Sequence, residues 1–406
     1  MPGPLEGVRI LDLTTMASGP LATSILADQG ADVIKVEGPE RVDGLRKIGP
    51  SRGGMSAIFT SFNRSKRAIA IDLRDERGVA LLDRLVAGAD VFVQNFRPGA
   101  VERMGIGAER YRAMHPELIY VSVSGFGERG PMAQSAVYDS VMQAYSGVAA
   151  SQADPETGEP RFVQNIICDK GTALWTSQAI TAALFARERG AGGQHLRLSM
   201  LHASVAFLWP DVLQHRTYLE GDDGGAGDEG ATPPNRPSLP AIRRTADGFV
   251  SFAVIGDAQF VALTRALDRP DLAGDVRFAD AGPRAMHAAE LAAEVNPIVA
   301  SMPTAEVAAR LAREGVPHAI VNTLESLLED EQLHATGVIE TSEHPSAGPM
   351  RQPTPPARFD ETPAAIRRPA PMLGEHTREL LAEAGLAEDE IGALVEGGVV
   401  EEASTR

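Results

Sequence analysis

Cysteine is almost missing from this sequence. Cys168 stands alone, which excludes an internal disulfide and any metal cluster built on thiolates. The nine histidines fall without H-x-x-x-H or similar spacing, so no metal centre is expected. No apolar run approaches the ~18 residues of a membrane span, and the N-terminus lacks a signal-type apolar stretch. MPGPLEGVRILDL runs directly into a strand, and a cytoplasmic location is expected. Positive charge is also short: 38 Lys and Arg against 55 Asp and Glu leave a net charge of -17. That balance repels nucleic acid and anionic lipid unless a local basic patch compensates. The first strand-to-helix turn reads Ala17-Ser18-Gly19-Pro20 rather than G-x-G-x-x-G, and no Walker motif occurs, so the dinucleotide fingerprint is absent where it would be needed.

Glycine and proline are plentiful by contrast, 40 and 28 in 406 residues, which favours turns and loops over a helical bundle. That length exceeds one ordinary core, so two domains are expected. Val8–Leu13 reads as a short apolar strand, Ser18-Gly19-Pro20 as a turn into a helix reaching about Gly30, and Ala31–Glu37 as a second strand. Strand, helix and strand repeat with Ala68–Leu73, Glu76–Ala87 and Asp90–Asn95, and Leu118–Ser124 adds a further strand. Continuous apolar strands alternating with helices predict an α/β fold, a Rossmann-like parallel sheet covered on both faces. The clearest helix spans 172–189 and ends at Gly190. Gln194–Met200 then resumes as a strand, before a helix near Leu201 that carries Phe207 and Trp209.

Residues 1–218 thus form the first part of a large domain. The stretch 219–237, LEGDDGGAGDEGATPPNRP, has little to bury and reads as a linker. Residues 238–330 read as a smaller α/β domain with strands at Gly248–Ile255 and His318–Val321. Residues 331–406 begin as a proline-rich return crossing and end in helices at Glu375–Ala384 and Glu388–Glu396.

Two loops concentrate positive charge: Asn63-Arg64-Ser65-Lys66-Arg67, and Asn95-Phe96-Arg97-Pro98-Gly99 with Arg103. Both lie near strand ends, where arginine forks suit phosphate oxygens and Phe96 could stack an adenine; a solvated basic face is the plainer alternative. Asp169 lies in NIICDKGTALW, before the strongest helix. An Asp there reads as a helix N-cap. The functional alternative is a carboxylate held near a helix N-terminus, with Gly171 admitting a substrate. Cys168 follows two isoleucines and reads as core. His202 reads as a core or interface histidine, and His376 as a helix cap.

Eight segments in order, LEGVRILDLT, GPLATSILADQGADVIKVE, FNRSKRAIAIDL, NFRPGAVERMGI, YVSVSGFGERGP, YDSVMQAYSG, CDKGTA and PMLGEHTRELL, resemble the class III CoA-transferases over nearly the whole chain. That is the formyl-CoA transferase, carnitine CoA-transferase and bile-acid-inducible group. The resemblance implies acyl-CoA:carboxylate CoA-transfer through a covalent aspartate, here Asp169. It places CoA contacts at Ile71, Arg74, Asn95, Phe96, Arg97 and Arg103, with Tyr138 and Asp139 lining the same site. CoA and acyl-CoA are then substrates together with a carboxylic acid acceptor, and no cofactor is permanently bound. The family also implies a large domain built from both chain ends and two subunits interlocked as a homodimer.

Departures narrow the substrate. Ala17 replaces a glutamine of the formyl and oxalate enzymes, Gly38 an arginine and Ala136 a basic residue, and only Ile255-Gly256-Asp257 represents their glycine-rich loop. These changes point away from oxalate and formate, with Ala17, the Trp209 region and the small domain shaping the acid pocket. A racemase branch carries a His-Asp pair where this chain has Tyr138-Asp139, and tyrosine, with an ordinary pKa of about 10, is a poor carbanion-forming base. An acyl-CoA racemase or epimerase, and a non-catalytic CoA-binding protein, are the alternative readings.

Overall fold

The computed structural model describes residues 1–154, 156–217, 219 and 241–403. It divides into two compact units, one built from residues 1–219 and 337–406 and the other from residues 220–336. The expected linker at 219–237 lies outside the described residues except for Leu219.

The first unit is organised by a seven-stranded sheet. Its strands are β1 (Arg9–Asp12), β2 (Asp32–Glu37), β3 (Arg67–Ile71), β4 (Val91–Gln94), β5 (Ile119–Ser124), β6 (His195–Ser199) and β7 (Val400–Glu401). The spatial order is β7-β3-β2-β1-β4-β5-β6. The first six strands pair in parallel, with Leu11 opposite Ile34 of β2 and Phe92 of β4. Their sequences are continuous apolar runs because helices cover both faces. On one face α1 (Ser18–Asp28) sends Leu26 and Ala27 into a core shared with Ile180, Ala183 and Leu184. On the other face α2 (Glu76–Val86) buries Leu81, Leu82, Leu85 and Val86.

Three further helices surround the functional region: α3 (Asp139–Ser146), α4 (Ile167–Ala186) and α5 (Met200–Leu208). The chain end supplies α6 (Thr377–Glu383) and α7 (Glu388–Glu396), whose Leu380, Leu381 and Ile391 join the α2 core. It then adds β7 antiparallel to β3, Val400 opposite Ile71. This strand has two residues, too few for an alternation to register in the sequence. The proline-rich return contains a hairpin, Ile339–His344 against Gly348–Pro353, where only a crossing was expected.

The second unit has a three-stranded antiparallel sheet of Ala241–Arg244, Phe249–Phe252 and His318–Ile320. Val250, Phe260, Leu263 and Val295 form its core with helices Asp257–Ala266 and Ala288–Ala300. Among the described residues no helix is long and apolar enough to cross a membrane.

Candidate active site

The strand order reverses at β1, which lies between β2 and β4. Loops leaving the carboxyl ends of β1 and β4 therefore diverge, and such a switch point is where open α/β sheets bind ligands. A cleft of about 710 Å³ opens there. The loop after β1, the loop after β4, the approach to α3 and Asp169 of α4 line it.

The loop after β1 is fixed residue by residue. Asp12, wholly buried, accepts from the Thr14 N–H and hydroxyl, the Thr23 hydroxyl and Lys66 Nζ. Lys35 Nζ donates to the Thr14 carbonyl and to Asp43 Oδ2, both at 2.9 Å. Asp43 Oδ1 in turn accepts the Met16 N–H at 3.0 Å. Asn95 brackets Thr15, accepting its N–H at 2.9 Å and donating to its carbonyl at 2.8 Å. These bonds hold Met16 at a φ of 67°, unusual for a bulky residue and a mark of strain kept by its surroundings. A side chain at Gly19 would collide with Thr14, its Cβ lying 2.4 Å from Thr14 Cβ, so glycine is required there. The outcome is a fixed Ser18, whose hydroxyl donates to Asp169 Oδ1.

Helix α4 begins at Ile167, five residues before its expected start, so Asp169 sits in the first turn rather than at the cap. Ile166 occupies the cap and has no side-chain capping bond. The cap comes instead from Asp139, whose Oδ2 accepts the Asp169 N–H at 3.0 Å. Asp139 Oδ1 is held by Gln143 Nε2 at 2.6 Å, and Gln143 Oε1 also takes the Val163 N–H at 2.9 Å. The N-cap reading of Asp169 is therefore corrected. Its carboxylate is left for the cleft while another aspartate does the capping.

Burial pushes the Asp169 carboxyl up to about 6, with the nearby Asp139 charge adding to the rise and the Ser18 hydroxyl and N–H opposing it. At pH 7 the carboxylate form still predominates. Among the described residues no Lys, Arg or His pairs with it, whereas Asp12, Asp28, Asp32 and Asp43 each meet a cation within 3 Å. Cys168, beside it, is packed into a core with Phe126 and Met142, and burial raises its thiol pKa, the opposite of nucleophile activation.

Asp169, Asn95, Phe96, Arg97, Tyr138 and Asp139 all line this cleft. Phe96 is half-buried against the main core, while Arg97 and Tyr138 are exposed. Asn95 has its amide engaged by Thr15 and acts on the loop. Ile71, Arg74 and Arg103 do not line the cleft. Ile71 is wholly buried in β3, its side chain part of the α2 core. Arg74 is paired with Asp72 and Glu40 on the surface, and Arg103 is exposed beside Gly99.

The first basic cluster is not an anion loop. Arg64, Lys66 and Arg67 are at most 8% exposed and pair with Asp28, Asp12 and Asp32, respectively. They lie at the amino end of β3, opposite to the ligand-binding edge of a parallel sheet. His202 is exposed rather than core. His376 stands at the cap position of α6 as expected, but its Nδ1 accepts the Ala68 N–H at 3.2 Å and makes no capping bond. Trp209 Nε1 donates to Thr217 Oγ1, and the ring lies outside the cleft lining. Ala17, Ala136 and Val137 do line it. Sequence reasoning passed over Ser18, Lys35, Asp43 and Gln143. The only local sign was a serine opening a helix, and that read as a turn.

The family model of CoA-transferase family III matches residues 5–377. Mouse succinyl-CoA:glutarate CoA-transferase is 33% identical, over 99% of this chain and 92% of its own length. Formyl-CoA:oxalate CoA-transferase of Streptomyces coelicolor is 31% identical over 98% of this chain and 99% of its own. The crystal structure of a CaiB/BaiF family protein from Brucella suis superposes with a TM-score of 0.79 at 31% identity, covering 95% of this chain and all of that one. With full-length relatives, a matching fold and a cleft at the switch point, the chain belongs to CoA-transferase family III and is a CoA-transferase.

Proposed function

We propose that this enzyme moves CoA between an acyl-CoA and a free carboxylic acid, with Asp169 carrying the acyl group covalently. One observation carries the reading: Asp169 is a half-buried carboxylate of the cleft, and among the described residues no cation neutralises it. The carboxylates of Asp12, Asp28 and Asp43 are ion-paired, and that of Asp139 is committed to the Asp169 N–H and the Gln143 amide. Among the described residues Asp169 is supported by a neutral hydroxyl and main chain alone, which leave it basic enough to attack.

The carboxylate attacks the thioester carbonyl, giving a mixed anhydride and CoA thiolate. The thiolate attacks the aspartyl carbonyl, releasing the first acid and leaving an aspartyl-CoA thioester. A second acid repeats the steps in reverse. CoA is thus a substrate, and the chemistry needs no resident cofactor. Among the described residues no histidine lines the cleft, and a base for α-proton exchange is missing from the position of Tyr138, so transfer is favoured over racemisation. Small apolar Ala17 and Ala136, with Val137, line the cleft and support an acid larger and less polar than formate or oxalate. The glutarate-handling relative is consistent with that. The test is a panel of CoA esters crossed with carboxylic acids. Transfer with a hydroxylamine-sensitive adduct on Asp169 by peptide mass spectrometry is expected. Turnover without an adduct, or CoA binding with no turnover on any pair, rejects the covalent reading.

The active unit is proposed to be a homodimer. Leu174, Trp175 and Phe185 stand 61%, 46% and 67% exposed on α4, three large apolar side chains that covering by a second copy would bury. Light scattering is expected to give twice the chain mass. Trp175→Glu with Phe185→Glu should yield monomer or insoluble chain, because buried unpaired carboxylates cost several kcal/mol. A double variant that remains a soluble dimer of wild-type stability would place the interface elsewhere.

A further inference from the structure

We propose that Ser18 is a second catalytic residue, whose hydroxyl holds Asp169 Oδ1 throughout the cycle and stabilises the oxyanion that forms on that atom. This rests on the covalent reading of Asp169 and deepens it. Ser18 is the first residue of α1, 5% exposed, and its hydroxyl donates to Oδ1. That hydroxyl does not cap its helix, where the cap residue is Ala17 with no side-chain bond. The surroundings nonetheless fix it closely: Asp12 and Lys35 hold Thr14, Asn95 brackets Thr15, and Asp43 holds Met16 in its strained conformation. Buried ion pairs and a bulky residue at positive φ are costly, and the loop they shape delivers one donor to one oxygen.

The donor has a defined task in each acyl transfer. With Oδ1 engaged, Oδ2 is the attacking atom. Its lone pair forms the C–O bond to the thioester carbonyl, the C–S bond breaks, and CoA leaves as thiolate. In the anhydride, Oδ1 is the carbonyl oxygen of the aspartyl half. When the thiolate adds to Cγ, the carbonyl pair moves onto Oδ1, where the Ser18 O–H already points. Collapse reforms that carbonyl, breaks Cγ–Oδ2 and releases the first acid with Oδ2 in its carboxylate. The acceptor acid then supplies the replacement oxygen when it adds to Cγ and the thiolate leaves. Donors pre-aimed at a developing oxyanion are the most effective single device in acyl transfer.

Two measurements decide it. Ser18→Ala should lower kcat by about 10²–10³-fold with KM for acyl-CoA within about threefold, and Ser18→Thr should restore all but about tenfold. The acid limb of the native pH profile is expected near 6 and should move upward in Ser18→Ala, because the hydroxyl holds the Asp169 pKa down. A purely structural serine would leave that limb in place. Kinetics of Ser18→Ala within about threefold of native, or a loss carried by KM alone, overturn the proposal. The second measurement needs no variant. After many turnovers with a doubly oxygen-18-labelled acceptor acid, the Asp169 peptide should hold one heavy oxygen, since Oδ1 is retained. Two heavy oxygens overturn the proposal. Undiminished transfer by Asp169→Ala would instead sink the underlying covalent reading.

Discussion

Asp169→Asn should abolish transfer, lowering kcat by at least about 10³-fold, and at the same time raise the melting temperature at pH 8. The two effects have one origin. Asparagine keeps an oxygen for the Ser18 hydroxyl and a main-chain N–H for Asp139, so the loop after β1 and the start of α4 stay in place. What disappears is the charge. Burial raises the Asp169 pKa to about 6 from the 3.8 of the free side chain, so the folded state holds a proton the unfolded state has released. Stability from this group is therefore highest below pH 4, falls as pH rises from 4 to 6, and stays lowered above 6. The variant escapes that loss. Its melting temperature should exceed the native one by roughly 2–5 °C at pH 8, and the gap should close as pH falls toward 4. Native activity should fall through the same window, as the nucleophile is protonated. A thermal melt series from pH 4 to 8 beside kcat decides it. A variant less stable than native at pH 8 would mean that Asp169 braces the fold and is not strained by it.

How much of this was legible in the sequence depended on how far apart the interacting residues lie. The six parallel strands were legible because burial on both faces leaves uninterrupted apolar runs such as VFVQ and IYVSVS, and their helices carry a 3.6-residue period. The strand order was not legible, since no local pattern says that β4 returns to pair with β1. At the site, every misreading traces to a distant partner. Asp169 looked like a cap because the residue that caps α4 lies thirty positions earlier, at Asp139. The 63–67 loop looked like an anion site because its partners Asp12, Asp28 and Asp32 lie 54, 36 and 35 positions away. Ser18 read only as a turn into a helix, being 151 positions from the carboxylate it touches. The order of eight family segments carried the assignment of Asp169 where local chemistry favoured a cap. The same resemblance implied CoA contacts at Ile71, Arg74 and Arg103, and those three are not among the residues that line the cleft.

Lys66→Met is expected to show the opposite signature to Asp169→Asn, with a large loss of stability. Lys66 and Asp12 are wholly buried, 2.8 Å apart, and Lys66 Nζ also reaches the Pro20 carbonyl and Asn63 Oδ1 at 2.9 Å. Burial pulls the Lys66 pKa down to about 8, yet Asp12 stays below the ordinary carboxylate range because the Lys66 and Lys35 charges outweigh its own burial. Both are thus ionised at pH 7. Methionine fills the stem of lysine but leaves the Asp12 carboxylate buried beside a lost cation, a change worth about 3–5 kcal/mol. The melting temperature should fall by roughly 6–20 °C. Lys66→Met with Asp12→Leu should recover part of that, since removing both charges removes the orphan. Recovery stays incomplete because the Thr14 N–H and hydroxyl then lose their acceptor. A single variant melting within about 2 °C of native would mean that water reaches the pair. The kinetic consequence follows from position: Lys66 grips Pro20 and Asp12 grips Thr14, on either side of Ser18. Each folded Lys66→Met molecule should therefore turn over at least about tenfold more slowly, although neither Lys66 nor Asp12 lines the cleft. The buried ion pair then aligns the reacting carboxylate at second hand, and its loss would register as misplaced chemistry in protein that is still folded.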